Sequence, residues 1–411
     1  MKVKPFCGYR VAAPDMDVSA VVAPPYDQID DVTQDRLLAM SPHNVVRITS
    51  PRDEPDVDRY QSARRVLDAW VAERVWAADD RAVIYPYQQT YTLGGRTVTR
   101  SAFIALGEVS EYAQGVVLPH ERTHSGPKKD RMQLLEATGA DTGLLFMLVS
   151  DPDRAILRAT TPTGEPIAEA HDLKGERHRL WRMTDDATIA KIRALMAPKS
   201  VIIADGRHRY ETAVAYAKNH PGATDKMMAF CTLEAPGLTI LSNHRLIHDV
   251  AGFSLDKLAT AGRAWFDVAP FGGDPTTFKP TPRTIAVVAG GKAMVFRLRD
   301  DGARTMAWPS RTSKAWRELS VSILHEGLLK PLLGITDDKL DGRSHVDYTA
   351  DQAEAVRLAR EGRCQAAFLI APTTTAELSA VVDGGELMPQ KSTHFYPKML
   401  DGLVWHRVPG A

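Results

Sequence analysis

The chain has 411 residues, more than one hydrophobic core usually supports, so two or three structural units are expected. Lys plus Arg and Asp plus Glu each total 51, and this balance speaks against a broadly basic nucleic-acid surface. Apolar residues at 44% and charged residues at 25% are those of a soluble globular protein, and no stretch approaches the length of a membrane span.

Residues 20–29, "AVVAPPYDQI", read as a short strand running into a turn set by Pro24 and Pro25. Residues 56–78 carry apolar residues at helical spacing and predict an amphipathic helix. "AVIYPYQQTYTLGGRTVTRSAFIALGEV" predicts two strands around a Gly94-Gly95 hairpin turn. "KKDRMQLLEATGA" predicts a helix stopped at Gly139, and "TGLLFMLVSD" a buried strand. A strand-rich stretch is expected to about residue 185. The helix "ATIAKIRALMA", the strand "SVIIADG" and the helix "RHRYETAVAYAKNH" follow. After the strand "KMMAFCTLE", "APGLTILSNHRLIHD" reads as a loop. In the last third, "TIAVVAGGKAMVFRLRD" reads as a hairpin and "ELSVSILHEGLLKPLLG" as helical. "AEAVRLAREG", "CQAAFLIAP" and "TAELSAVVDGGEL" then read as helix, strand and helix.

Cys7, Cys231 and Cys364 are far apart and form no C-x-x-C pair, so neither a disulfide framework nor a cysteine zinc site is expected. The N-terminus "MKVKPFCGYRVAAPD" lacks the apolar run of a secretory signal, and the expected location is the cytoplasm.

Residues 120–124, "HERTH", spell the zinc-protease pattern H-E-x-x-H. That pattern needs both His on one helix face. Pro127 disfavours helical geometry at Gly126, leaving too little helix for a two-His platform, and no third ligand follows at the usual spacing. A zinc hydrolase is therefore disfavoured. The same segment reads better as a loop feeding the next helix, crowded with His120, Glu121, Arg122, Thr123, Lys128 and Arg131 and suited to an anion such as phosphate.

A second cluster, "VIIADGRHRYET" at 201–212, ends a strand in Asp205-Gly206 and opens a helix with Arg207, His208 and Arg209. Cations there oppose the helix dipole unless an anion sits among them. Asp205 at the strand end is positioned to hold Mg²⁺. The third cluster is a polar strap, 385–404, with Lys391, Ser392, Thr393 and Lys398 between proline- and aromatic-bearing flanks. It reads either as a rigid loop presenting donors or as a strap packing its aromatics on the core. No P-loop and no dinucleotide fingerprint is present.

"APPYD" at 23–27, "LPHERT" with "GPKKDR" at 118–131, "IADGRHRYET" at 203–212 and "MPQKSTHFYPKMLDGLV" at 388–404 together resemble the bacterial and archaeal domain-of-unknown-function family 1015. The family usually reads "DGHHRYET", so Arg207 replaces its first His. His124 stands where the family usually has an apolar residue, so the zinc-protease spelling is accidental. The "DGHHR" element is in turn similar to that of the ParB/sulfiredoxin-like superfamily, which includes free-serine kinases. The resemblance implies a mixed α/β protein with a ParB-like core at 116–250, flanked by α/β segments at 1–115 and 251–411. It implies phosphoryl transfer to free L-serine from ATP, ADP or pyrophosphate with Mg²⁺. Glu121 would be the base, and Asp205, His208 and Arg209 would contact metal or phosphate. Lys128, Arg131, Arg209 and Lys391 would clamp the phosphates, joined by His120, Arg122, Thr123, Gly206, Arg207, Ser392, Thr393 and Lys398. The rival is a non-catalytic, nucleotide-binding regulator of ParB type. With no helix-turn-helix evident, nucleic acid and membrane are not expected partners; a small-molecule substrate is.

Overall fold

A computed structural model describes residues 1–53, 55–121, 128–342 and 344–409. Contacts group the chain into two compact units. The first is Met1–Pro119 with Ser125–Thr239 and Pro397–Ala411; the second is His120–His124 with Ile240–Tyr396. This is not a division into three consecutive segments bounded near 115 and 250. Strands from both sides of residue 115 pair in one sheet, so backbone hydrogen bonds bind those stretches together.

The sheet of the first unit has nine strands: β1 (Val3–Lys4), β2 (Tyr85–Leu93), β3 (Arg96–Glu108), β4 (Val117–Pro119), β5 (Leu145–Val149), β6 (Ala168–His171), β7 (Arg177–Leu180), β8 (Val201–Asp205) and β9 (Asp225–Thr232). They lie in the order β4-β8-β5-β9-β3-β2-β7-β6, with β1 against β3. The β4–β8 and β5–β9 pairs are parallel and the rest antiparallel, a mixed α/β architecture. The hairpin β2–β3 forms as expected, its turn made by Gly94 and Gly95 at positive φ. Every residue of β5 is buried, as a strand covered on both faces must be. Leu145, Met147, Ile203, Met228 and Phe230 share one core with Ile189 and Ile192.

Helices form where apolar spacing and caps agree. Helix α1 (Arg59–Ala72) starts at Asp58, whose carboxylate accepts from the Tyr60 and Gln61 N–H groups. It stops short of the predicted 78, because Trp76–Ala78 pairs instead with Tyr9–Val11. Helix α2 (Lys128–Thr138) ends before Gly139, which is left-handed at φ 58° as expected of a stop. Helices α3 (Asp186–Met196) and α4 (Arg207–Asn219) also form where expected.

Three expectations need correction. The stretch 20–29 is not a strand: Val18–Val21 is a helical turn capped by Asp17, and Tyr26–Gln28 is a 3₁₀ turn. Only Ala23 makes a strand-like bridge, to Asp401. The strand-rich stretch before 185 includes a helix at Ala155–Ala159, nucleated by Asp151 accepting from the Ile156 and Leu157 N–H groups. The loop read at 235–249 contains strands at Thr239–Leu241 and His244–Ile247. His244 and Arg245 are buried there, so polar letters concealed a core strand.

The second unit is built on a six-stranded antiparallel sheet: β10 (His244–Ile247), β11 (Phe266–Pro270), β12 (Thr284–Ala289), β13 (Lys292–Leu298), β14 (Val346–Thr349) and β15 (Ala366–Leu369). Their order is β11-β13-β12-β15-β10-β14. Helix α5 (Gln352–Arg360) lays Val356 and Ala359 on Leu246, Val288 and Leu369. Helix α6 (Thr375–Asp383) opens with a capping box between Thr374 and Glu377. The helical stretch from Ser320 to Leu333 forms as predicted, but with a π turn at His325–Leu329. Among the described residues no helix is long and apolar enough to cross a membrane.

Candidate functional site

Strand β8 delivers Asp205 to the sheet edge, and Gly206 turns the chain into α4 at φ 90°. A side chain at 206 would meet Leu145 Cδ2 at 2.6 Å and Arg209 Nη2 at 3.1 Å, so both space and backbone demand glycine. The N-cap residue of α4 is Gly206, which has no side chain to cap it, and no acid occupies the helix's first turn. Arg207, His208 and Arg209 open the helix instead. Lys398 Nζ lies 3.5 Å from Asp205. Its backbone is anchored by Gln89, which donates to the Lys398 carbonyl at 2.7 Å, and by Arg100, which donates to the Pro397 carbonyl. Glu211, one turn along α4, gathers Arg207 Nε at 2.8 Å and the Lys128 ammonium. Burial pushes the Glu211 carboxyl up, but Lys128 and Arg207 hold it below its usual range. Asp205, Gly206, Arg207, His208, Lys128 and Lys398 thus belong to one cation-rich helix start with glycine at its N-cap.

Arg209 points inward from the same turn. It is buried, donates from Nη1 to the Leu144 carbonyl at 2.8 Å and lies 3.9 Å from Asp401. With Asp401 it borders a cavity of about 60 Å³ that Tyr26, Arg131, Asp141 and Lys226 also line. Arg131 stacks over Tyr26 at 4.1 Å, donates to the Thr49 carbonyl at 2.6 Å and pairs with Asp130. Burial raises the Asp401 carboxyl to about 7 against the pull of Arg209. Burial likewise lowers Lys226 to about 7, although it contacts Asp141 directly. The "APPYD", "GPKKDR", "DGRHRYET" and "MLDGLV" stretches therefore each send a side chain to one small ionic cavity. Tyr26, Asp401, Asp141 and Lys226 were not nominated from sequence. The first two lie inside quoted motifs, which was the available signal; Asp141 and Lys226 carried none.

The second unit holds the other nominated residues. His120 is buried, meets Thr393 Oγ1 at 2.8 Å and packs edge-on against Phe395. Glu121 forms a strand-like bridge with Met388, and its carboxylate accepts from the Ser392 N–H at 3.1 Å. Lys391 is left-handed at φ 57°. Asn243 donates to the Lys391 and Thr393 carbonyls at 3.1 and 3.0 Å, and Arg245 to the Lys391 carbonyl at 3.1 Å. Burial lowers Arg245 to about 10. Asn243 and Arg245 hold the loop that holds Glu121, and nothing in their sequence context marked them. Arg122, Thr123 and His124 lie outside the described residues. His120 and Glu121 follow directly on strand β4 and are not helical, so they lack the helix face that H-E-x-x-H requires.

Asp205 was also nominated for Mg²⁺. Among the described residues no group of three or more His, Cys, Asp or Glu side chains is poised around a metal. A lone carboxylate suits Mg²⁺ only where substrate phosphates and waters supply the remaining ligands.

The model of a family described as "Protein of unknown function (DUF1015)" matches residues 3–322. The chain belongs to this family. The match takes in the first three motifs, while 388–404 lies beyond it. No curated protein matches this DUF1015 chain. Among solved structures it is similar to a conserved hypothetical protein from Pyrococcus furiosus, at 11% identity and TM-score 0.37, over 73% of this chain and 93% of that one. It is similar to a free serine kinase in complex with AMP, at 11% identity and TM-score 0.37, over 74% and 92%. C-terminally truncated SbnI from Staphylococcus aureus follows at 12% and 0.37, over 72% and 85%. Likenesses of this strength carry no argument about activity.

Proposed function

We propose that this DUF1015 protein is a small-molecule phosphotransferase with a core of ParB/sulfiredoxin-like type, using ATP, ADP or pyrophosphate, with free L-serine as the leading acceptor. The observation that carries the reading is the α4 N-terminus: glycine at its N-cap, no acid in its first turn, and Arg207, Lys128 and Lys398 held close by through Glu211 and Asp205. Phosphoryl transfer asks mainly for positioning and for neutralisation of charge spreading over the phosphoryl oxygens. The helix dipole and these cations supply both. Asp205 would hold Mg²⁺ together with the donor's phosphates, and the ion would neutralise charge on them.

In this reading Glu121 takes the proton from the acceptor hydroxyl. The hydroxyl oxygen bonds to the terminal phosphorus, and the bond from that phosphorus to the leaving phosphate breaks. General-base help of this kind is worth about 10²–10⁴-fold. The Ser392 N–H bond orients the Glu121 carboxylate, and His120, Thr393 and Lys391 build the loop around it. Arg131 and Arg209 act from the ionic cavity.

The test is ³¹P NMR of the protein with Mg²⁺ and L-serine, offered ATP, ADP and pyrophosphate separately. A serine-dependent phosphomonoester signal is expected in at least one tube. Glu121→Gln should lower that turnover by at least about 10²-fold while nucleotide affinity is kept. Nucleotide binding with no transfer in any tube would replace this reading with the non-catalytic regulator.

A further inference from the structure

The second unit contains a cavity of about 330 Å³ that the phosphoryl-transfer reading does not use. It lies against the π turn at His325–Leu329, and the Trp316 indole forms part of its wall. π turns inserted in α-helices are frequent at functional sites. The size falls in the range of small-molecule sites.

Two lining residues bring polar groups to the cavity. His325 is 3% exposed, and its Nε2 accepts from Arg245 at 3.2 Å. Its proton therefore sits on Nδ1, and His325 lines the cavity. Gln390 Oε1 is buried and, among the described residues, accepts nothing. A buried group left unpaired costs its whole desolvation, so Gln390 Oε1 marks a place for a ligand donor. One group donates and the other accepts. A purely anionic or purely cationic ligand would satisfy only one of them, whereas hydroxyl groups satisfy both.

The charges agree. Lys330 is held between Glu326 at 2.5 Å and Asp337 at 2.8 Å, and with Glu386 the acids of the lining outnumber its cations, Lys330 and Arg311, which disfavours an anion. Glu386 accepts the Ser313 N–H through one oxygen at 2.9 Å, which leaves the other for a ligand hydroxyl.

We propose that this cavity binds a small, neutral, polyhydroxylated molecule of monosaccharide or cyclic-polyol size. Its ring lies along Trp316, and its hydroxyls answer His325 Nδ1, Gln390 Oε1 and Glu386.

The test is calorimetric titration and thermal melting of the full chain with D-glucose, D-ribose and myo-inositol, with L-serine and putrescine as counter-probes. At least one polyol should bind and raise the melting temperature. Gln390→Met removes the unpaired acceptor at similar volume. It should raise the melting temperature of the free protein yet weaken polyol binding about tenfold. Glu386→Gln should also weaken binding and serves if Gln390→Met fails to fold. No polyol binding at tens of millimolar, binding of the counter-probes alone, or unchanged affinity in the variants would each overturn the proposal. None of these outcomes bears on phosphoryl transfer, which is decided in the NMR tubes.

Discussion

Asn44 is completely buried and spends its whole side chain on backbone groups. Its Nδ2 donates to the Ala20 and Val22 carbonyls, and its Oδ1 accepts from the Val46 N–H, all at 2.9 Å. These bonds fix the turn that leads through Pro24 and Pro25 to Tyr26, a wall of the ionic cavity. Asn44→Ala would take this partner from the buried Val22 carbonyl and Val46 N–H and from the half-buried Ala20 carbonyl. At about 1–3 kcal/mol for each unpaired group, partly offset by relaxation, a loss of about 3 kcal/mol is expected in urea unfolding. Such side chains escape a reading by periodicity. "SPHNVV" looks like any polar turn, and only the arriving carbonyls give Asn44 its task.

Elements were legible where local signals agreed. The β2–β3 hairpin had strands of high β propensity around a glycine pair, α2 had its glycine stop, and α1 had Asp58 as cap. They failed where burial inverted the letters: strand β10 reads "HRLI", yet all four residues are buried. Packing between elements brings its own test. Gly302 sits where a Cβ would lie 2.2 Å from the Trp265 carbonyl oxygen, a backbone atom with little room to yield. Gly302→Ala should therefore destabilise the second unit by about 1–3 kcal/mol, although alanine is the better helix former. Unfolding followed by hydrogen exchange at β11 and β13 would report it.

Across the molecule, the formal net charge is zero, and buried histidines in both units are held neutral by burial. His244 is buried, accepts from the Ile370 N–H at its Nδ1 at 3.3 Å, and is lowered to about 4, first by burial and then by Arg245. His325 is shifted the same way, again chiefly by burial. The unfolded chain binds these protons near the ordinary histidine value, while the folded chain resists until much lower pH. The stability they confer is thus complete above pH about 6.5 and is lost as pH falls towards 4, by about 3 kcal/mol for His244. His244→Asn, which keeps an acceptor but cannot be protonated, should flatten the stability curve between those values. Circular dichroism melts from pH 7 to 4.5 decide it.

Sequence alone determined the family, the mixed α/β class, most helices and strands, and the cation-rich start of α4, because each is written in contiguous residues whose spacing or cap chemistry is local. Tertiary structure alone decided that four motifs distant along the chain meet at one ionic cavity, that Asn243 and Arg245 carry the Glu121 loop, and that strands on both sides of residue 115 share one sheet. Those facts depend on which buried polar groups find partners far away in sequence. Such pairings are set by how the sheets assemble, and no local pattern encodes them.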